Sequence, residues 1–172
     1  LQLTSGSPYD IILKNEFSSI SAEYEMKMNP ISTASGVYNW TAADKIVDYG
    51  NANGINVHGH ALVWHQAVPD WLKNFKGTNE EFALEVKKYI TDVVTHYAGK
   101  VKSWDVVNEA ADDNGNNMRN TIFLQKMGPN YVKDCFKWAR EAANAAGDTN
   151  LLLFYNDYAT SSNLPKQERV YT

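Results

Sequence analysis

The sequence predicts an α/β protein built on a parallel β-sheet. Short apolar strands alternate with amphipathic helices about four times along the chain, and alternation of this kind implies right-handed crossovers between parallel strands. The clearest strand contains Trp104, Val106 and Val107, a run that is too short for a helix. The 172 residues suffice for one domain with a substantial core, but not for two comfortable ones.

The individual elements follow from turn residues and hydrophobic spacing. The predicted strands are residues 17–20, 55–64, 104–107 and 151–155. The best-defined helix begins with a capping box formed by Thr78 and Glu81, and its apolar residues recur at helical spacing until Gly99. Another helix is predicted to begin near Thr41, whose hydroxyl would cap it, and a further helix follows Pro129.

Polar and aromatic residues follow each predicted strand at its carboxyl end. In strand order they are Glu23 and Lys27, His60 and Trp64, Asn108 and Glu109, and Asn156 to Tyr158. The carboxyl ends of parallel strands meet at one rim, where such folds build their active sites. A doubly wound open sheet also fits the alternation, although no glycine-rich phosphate loop follows any strand.

Composition excludes several classes of partner. The net charge is -4, so no basic patch is expected and nucleic acid is not a predicted partner. No apolar run approaches the roughly 20 residues that span a membrane, and the first ten residues lack the features of a signal peptide. The single cysteine, Cys135, excludes an internal disulfide and any multi-cysteine metal site.

Four segments of the chain carry a family resemblance. They are FSSISAEYEMK (17–27), GHALVWH (59–65), WDVVNE (104–109) and YNDY (155–158). In order and spacing they resemble the glycoside hydrolase family 10 enzymes, chiefly endo-β-1,4-xylanases. The resemblance implies a (β/α)8 barrel, and residues 1–172 would be the central part of an incomplete catalytic domain, about strands 2 to 5 with their helices. It further implies retaining endo-hydrolysis of β-1,4-xylan without a metal or other cofactor.

The resemblance also implies roles for the residues at the rim. Glu109 would be the general acid/base, and Asn108 would contact the sugar beside the scissile bond. The implied glycone-side residues are Glu23, Lys27, His60 and Trp64, and the implied aglycone-side residues are Asn156 and Tyr158. The nucleophilic glutamate of the family lies on the seventh strand, and no carboxylate of this chain occupies that motif. The isolated chain is therefore expected to be inactive.

The chain departs from the usual family pattern at several positions of this rim. Tyr24 replaces a usual Asn, Met28 a common Trp and His58 a common Arg, and residues 66–67 are Gln-Ala where Ser-Gln is usual. The resemblance therefore does not decide which sugar contacts these positions make.

Two other functions also stay open. His58 and His60 lie at i and i+2 on a strand, so they point to one face and could bind a metal in a metal-dependent barrel hydrolase. Trp64, Trp71 and Trp40 could stack on pyranose rings, so the chain could bind xylan without cleaving it.

The expected partners are xylan or xylo-oligosaccharides. The missing barrel segments, or another copy of the chain, are expected to cover the two sheet edges and the apolar interior that half a barrel would leave exposed. A polysaccharide substrate implies a secreted or periplasmic protein.

Overall fold

The structure is a computed structural model that describes residues 3–171. The strands are β1 (Ser19–Ser21), β2 (Ser32–Ala34), β3 (Val37–Tyr38), β4 (Asn56–Trp64), β5 (Ser103–Asn108) and β6 (Leu152–Asn156). The helices are α1 (Pro8–Glu16), α2 (Met28–Ile31), α3 (Thr41–Ala52), α4 (Asp70–Lys73), α5 (Asn79–His96), α6 (Ile122–Met127), α7 (Tyr131–Ala145) and α8 (Leu164–Tyr171). Among these residues, no helix is both long and apolar enough to cross a membrane.

The main sheet contains four parallel strands in the order β1-β4-β5-β6. Their order in space follows their order in the chain, as in the wall of a barrel, whereas a doubly wound sheet reverses its order at a switch point. The register brings the carboxyl ends together, with Trp64 opposite Asn108 and Asn108 opposite Asn156. The predicted α/β class with a parallel sheet is confirmed.

The hydrophobic core lies between this sheet and the helices that cover one of its faces. The capping box of α5 is present, because the Glu81 N–H donates to Thr78 Oγ1 at 3.2 Å and the Thr78 N–H donates to Glu81 Oε2 at 2.7 Å. Phe82, Val86 and Ile90 of this helix are fully buried, and burial of each such side chain stabilises the fold by about 1.5–3 kcal/mol.

The opposite, concave face of the sheet is open. Successive side chains of a strand point to opposite faces, so His58 and His60 of β4 and Leu152 and Phe154 of β6 lie on this face. A contact between the rings of His58 and Phe154, with centroids 6.1 Å apart, crosses the face. Leu152 is 57% exposed and Phe154 is 46% exposed. The apolar side chains of Leu152 and Phe154 on the concave face are therefore exposed to solvent.

One predicted helix start is wrong in its detail. α3 does begin at Thr41, but its N-cap is Trp40 and no side chain caps the helix. Thr41 already lies in the first turn, where its N–H donates to Asn39 Oδ1 at 3.2 Å. Its hydroxyl is therefore one residue too late to act as the cap.

Candidate active site

Glu109 follows β5 directly, and its backbone turns sharply there. Its φ of 56° lies in the left-handed region, where a residue other than glycine costs of order 1–3 kcal/mol and needs support from its surroundings. That support is visible on both sides of the residue. The Glu109 N–H donates to the carbonyl of Asn156 at 2.9 Å, and the Glu109 carbonyl accepts from Arg119 Nε at 3.1 Å.

The carboxylate of Glu109 contacts the last residue of the neighbouring strand. Trp64 Nε1 donates to Glu109 Oε2 at 2.9 Å, which connects the ends of β4 and β5. Trp64 also contacts Lys27, whose Nζ lies 4.7 Å from the centroid of the indole ring, a cation–π contact. Lys27 Nζ also donates to the backbone carbonyl of Glu23 at 2.5 Å. These contacts join the ends of three parallel strands.

Two amides lie beside this carboxylate. Asn156 Nδ2 donates to Asn108 Oδ1 at 2.8 Å, so the ends of β5 and β6 are joined by their side chains as well as by the sheet. Asn108 is buried, whereas Asn156 is exposed toward the rim. In its alternative amide orientation Asn108 would accept from Trp64 Nε1 at 3.1 Å. Both residues offer donors and acceptors suited to hydroxyl groups.

The histidines of the concave face share one carboxylate oxygen. Asp105 Oδ2 lies 3.0 Å from His58 Nε2 and 2.8 Å from His60 Nδ1, and His58 Nδ1 lies 2.7 Å from Ser103 Oγ. Burial acts to raise the pKa of Asp105, but the hydrogen bonds from His58 and His60 outweigh it and lower this pKa. Because His60 Nδ1 binds Asp105, its Nε2 is left available to a ligand.

For the metal hypothesis, these contacts leave one ring nitrogen of the two histidines, Nε2 of His60. A metal ligand needs a free ring nitrogen, and both nitrogens of His58 as well as Nδ1 of His60 are engaged. Within residues 3–171, no group of three or more His, Cys, Asp or Glu side chains could hold a metal ion.

A loop after β5 adds residues that the sequence did not indicate. Arg119 Nη2 donates to Asp113 Oδ1 at 2.7 Å and to the hydroxyl of Tyr158 at 3.1 Å, and Tyr158 also bonds to Asp113. Hydrogen bonds from Tyr158 and Arg119 lower the pKa of Asp113. Since Arg119 also binds the carbonyl of Glu109, it connects Tyr158 to the candidate catalytic residue. The loop is rich in Asp and Asn and has no periodic pattern, so its closeness to Glu109 in the sequence was the one signal that could have indicated Arg119.

The structure brings most of the predicted site residues together. Glu109 contacts Trp64 and Asn156 directly. One intervening residue connects it to Lys27 and His60 (through Trp64), to the side chain of Asn108 (through Asn156) and to Tyr158 (through Arg119). Glu23 is connected only through its carbonyl, because its side chain is exposed and its carboxylate makes no contact with this set. Trp40 is not at this rim, since its ring stacks on His96 with centroids 4.0 Å apart. Trp71 donates to the Ser32 carbonyl at 3.1 Å.

The fold and the rim together define the class of the protein. Parallel strands that lie in chain order, with polar side chains gathered at their carboxyl ends, fit the plan of a (β/α)8-barrel protein. A family model described as "Glycosyl hydrolase family 10" matches residues 2–172, and the chain belongs to this family. The resemblance inferred from the four motifs is therefore confirmed, and the four-stranded sheet is part of the family's barrel.

Known relatives support the same assignment. A β-1,4-xylanase of Dictyoglomus thermophilum is 40% identical over 164 residues, which cover 95% of this chain and 44% of that protein. Xylanase 10B of Thermotoga petrophila in complex with xylobiose superposes with a TM-score of 0.87 at 37% identity, covering 95% of this chain and 48% of the other. A variant of xylanase 10C of Cellvibrio japonicus in complex with xylopentaose superposes with a TM-score of 0.87 at 36% identity. The match covers 98% of this chain and 34% of the other. The chain spans about half the length of such relatives or less.

Proposed function

We propose that this chain supplies the acid/base half of a retaining endo-β-1,4-xylanase. The observation that carries the proposal is the placement of Glu109, which is bonded to Trp64 of β4 and to Asn156 of β6 at the carboxyl rim of a family 10 sheet. Relatives named as xylanases, and two solved with xylobiose or xylopentaose, support xylan or a xylo-oligosaccharide as the substrate.

In this proposal Glu109 first donates its proton to the oxygen of the leaving sugar. It then acts as a carboxylate and removes a proton from the water that hydrolyses the glycosyl-enzyme intermediate. Trp64 Nε1, which donates to Glu109 Oε2 at 2.9 Å, holds the carboxyl group in one orientation. Proton transfer is efficient only when donor and acceptor are held within hydrogen-bonding reach, so this contact favours the acid/base role.

The remaining rim residues are proposed to bind sugar hydroxyls. Asn108 would contact the sugar beside the scissile bond, and the glycone side would be lined by Glu23, Lys27, His60 and Trp64. Asn156 and Tyr158 would lie toward the aglycone. The free Nε2 of His60 supports these roles, and so does the exposed amide of Asn156, which keeps hydrogen-bonding capacity beyond its bond to Asn108.

The second carboxylate that retention requires is proposed to come from outside this chain. A retaining pair is separated by about 5–5.5 Å, and the nucleophile must be free to attack. The nearby Asp157 has a fully buried side chain, 2.7 Å from Lys166, and Asp113 is bound to Arg119. We propose that further barrel strands, or a second copy of the chain, cover the concave face. Because the substrate is a polysaccharide, the enzyme would act in a secreted or periplasmic location.

The test is Glu109→Gln in the full-length enzyme, which keeps the shape of the side chain and removes its proton. Loss of general acid catalysis should lower kcat/KM on xylan by about 10²–10⁴-fold. On an aryl xylobioside with a good leaving group, kcat/KM should fall much less, because that group departs without protonation.

Glu80→Gln is the matched control, since Glu80 is exposed in the first turn of α5. It should leave both rates unchanged. Equal losses of kcat/KM on the two substrates in the Glu109 variant would contradict the acid/base role.

A further inference from the structure

A lysine of the last helix is completely buried next to a buried carboxylate. Lys166 of α8 has no exposed side-chain surface, and neither has Asp157. Lys166 Nζ lies 2.7 Å from Asp157 Oδ1 and 3.5 Å from the ring centroid of Tyr158. Burying two charges is costly unless they are paired, so such a pair needs a reason to be retained. Since no solvent reaches Lys166, it does not touch a substrate directly.

The second oxygen of this carboxylate leads toward Glu109. Asp157 Oδ2 accepts from the Tyr155 hydroxyl at 2.5 Å. The oxygen of that hydroxyl in turn accepts from the N–H groups of Ala110 at 2.9 Å and Ala111 at 3.1 Å. These are the two amides that directly follow Glu109. A continuous chain of hydrogen bonds therefore runs from the buried ion pair to the backbone of the candidate acid/base.

The backbone at this point is one that needs external support. Glu109 adopts a φ of 56°, and the two amides after it find their acceptor in a side chain rather than in a sheet or helix. α8 also packs tightly on the same loop, because a Cβ at Gly115 would clash with the backbone of Lys166. Lys166 is thus connected to the loop after β5 in two ways. Its side chain reaches the loop through Asp157 and Tyr155, and its backbone packs against Gly115.

We propose that Lys166 and Asp157 are positioning residues for Glu109. They act through Tyr155, whose hydroxyl is polarised by the carboxylate and fixes the turn that presents Glu109 to the cleft. The proposal rests on the proposed acid/base role of Glu109. It adds that the protonation step depends on an ion pair with no access to the substrate.

The test compares Lys166→Met, Tyr155→Phe and Lys137→Met in the full-length enzyme. Lys166→Met leaves Asp157 buried without its cation. Tyr155→Phe keeps the ion pair and the direct 3.4 Å bond from the Ala111 N–H to Asp157 Oδ2, but it removes the hydroxyl that joins the pair to Ala110 and that also accepts from Ala111. Lys137→Met is the matched control, because Lys137 is 66% exposed on α7 and makes only a 3.9 Å contact with Glu141.

A misplaced acid should matter only where the leaving group needs a proton. For Lys166→Met and Tyr155→Phe we expect kcat/KM on xylan to fall about tenfold or more, with a smaller loss on an aryl xylobioside with a good leaving group. Hydrogen exchange at the amides of Ala110 and Ala111 should accelerate in both variants, while amides of β4 stay protected. Lys137→Met should change neither quantity.

Each other outcome is informative. If rates on both substrates fall equally in proportion to the folded fraction, the pair is only structural and the proposal is overturned. Unchanged exchange at Ala110 and Ala111 in Tyr155→Phe, which retains the ion pair and should fold, also overturns it. If the unaltered enzyme cleaves neither substrate, the proposed function fails, and the exchange measurement alone decides whether the ion pair positions this turn.

Discussion

Asp105 binds two imidazoles through a single carboxylate oxygen on the concave face. The distances from Oδ2 are 3.0 Å to His58 Nε2 and 2.8 Å to His60 Nδ1. An oxygen with two lone pairs can accept from both rings at once, which fixes the tautomer of His60 with Nε2 toward the cleft. The carboxylate is thus held by two imidazoles. At the scale of single residues, the orientation of His60 is thus set by a neighbouring carboxylate, that of Asp105.

Replacing Asp105 by Asn should therefore weaken sugar binding. The amide oxygen of an asparagine can still accept from both rings, but it carries no charge, so both hydrogen bonds weaken and His60 is held less firmly. Hydrogen bonds to a charged group are worth about 1.5–3 kcal/mol and neutral ones about 0.5–1.5 kcal/mol, so we expect the Kd for xylopentaose to rise by about fivefold to tenfold. Calorimetry in the Glu109→Gln background measures this without turnover. Asp70→Asn is the control, since its side chain is 91% exposed; an unchanged Kd in the Asp105 variant would refute the orienting role.

At the scale of elements, the regular hydrophobic patterns were sufficient to predict helices and strands. The strained backbone at Glu109 could not be predicted from such patterns. The capping box of Thr78 and Glu81 and the strand around Trp104 followed from short-range rules, and both are present. Gly59 in β4 is needed because a Cβ there would clash with the Trp104 indole. By contrast, the left-handed turn at Glu109 and the approach of Arg119 arise from tertiary contacts, which leave no periodic signature in the sequence.

Helix α1 was not predicted, because its apolar residues form no single buried stripe: Leu13 is buried, whereas Tyr9, Ile11 and Ile12 are about half exposed. It is capped by Ser7, whose Oγ accepts from the Asp10 N–H at 3.1 Å, and it docks on α3 through Asp10 Oδ1, which accepts from Tyr49 at 2.6 Å. Asp10 also accepts from Lys14 and from the N–H of Gly6. Hydrogen bonds from Tyr49, Lys14 and Gly6 together lower the pKa of Asp10 to about 2.

Docking of this helix should consequently fail in acid. A carboxyl group with a lowered pKa stabilises the fold fully above its unfolded pKa, near 3.8, and loses that contribution as the pH falls toward about 2. In Asp10→Asn, this component of the pH dependence should be absent. Urea unfolding between pH 2 and 6 measures the difference, and Asp70→Asn should behave like the unaltered chain. Parallel pH profiles for the Asp10 variant and the unaltered chain would rule out this role.

At the scale of the whole molecule, four parallel strands leave a sheet with two edges and an open concave face. β1 and β6 are the edge strands of this sheet, and Leu152 and Phe154 of β6 expose apolar surface on the concave face. Open edges and exposed apolar patches favour association with other chains. Closing a barrel would cover both features and bring further strand ends to the rim that carries Glu109. If the proposed function holds, stability and catalysis would thus depend on the same contacts with further strands.

Even where the isolated chain is folded, it should not hydrolyse an aryl xylobioside. Its candidate acid is in place, but Asp157 is buried with Lys166 and Asp113 is bound to Arg119, so neither is free to attack a sugar 5–5.5 Å away. Turnover is measured on the monomeric fraction after circular dichroism has established that it is folded. The Glu109→Gln chain, purified identically, reports any contaminating activity. Turnover above that background would mean that a carboxylate of this chain serves as the nucleophile, and the requirement for further strands would fall.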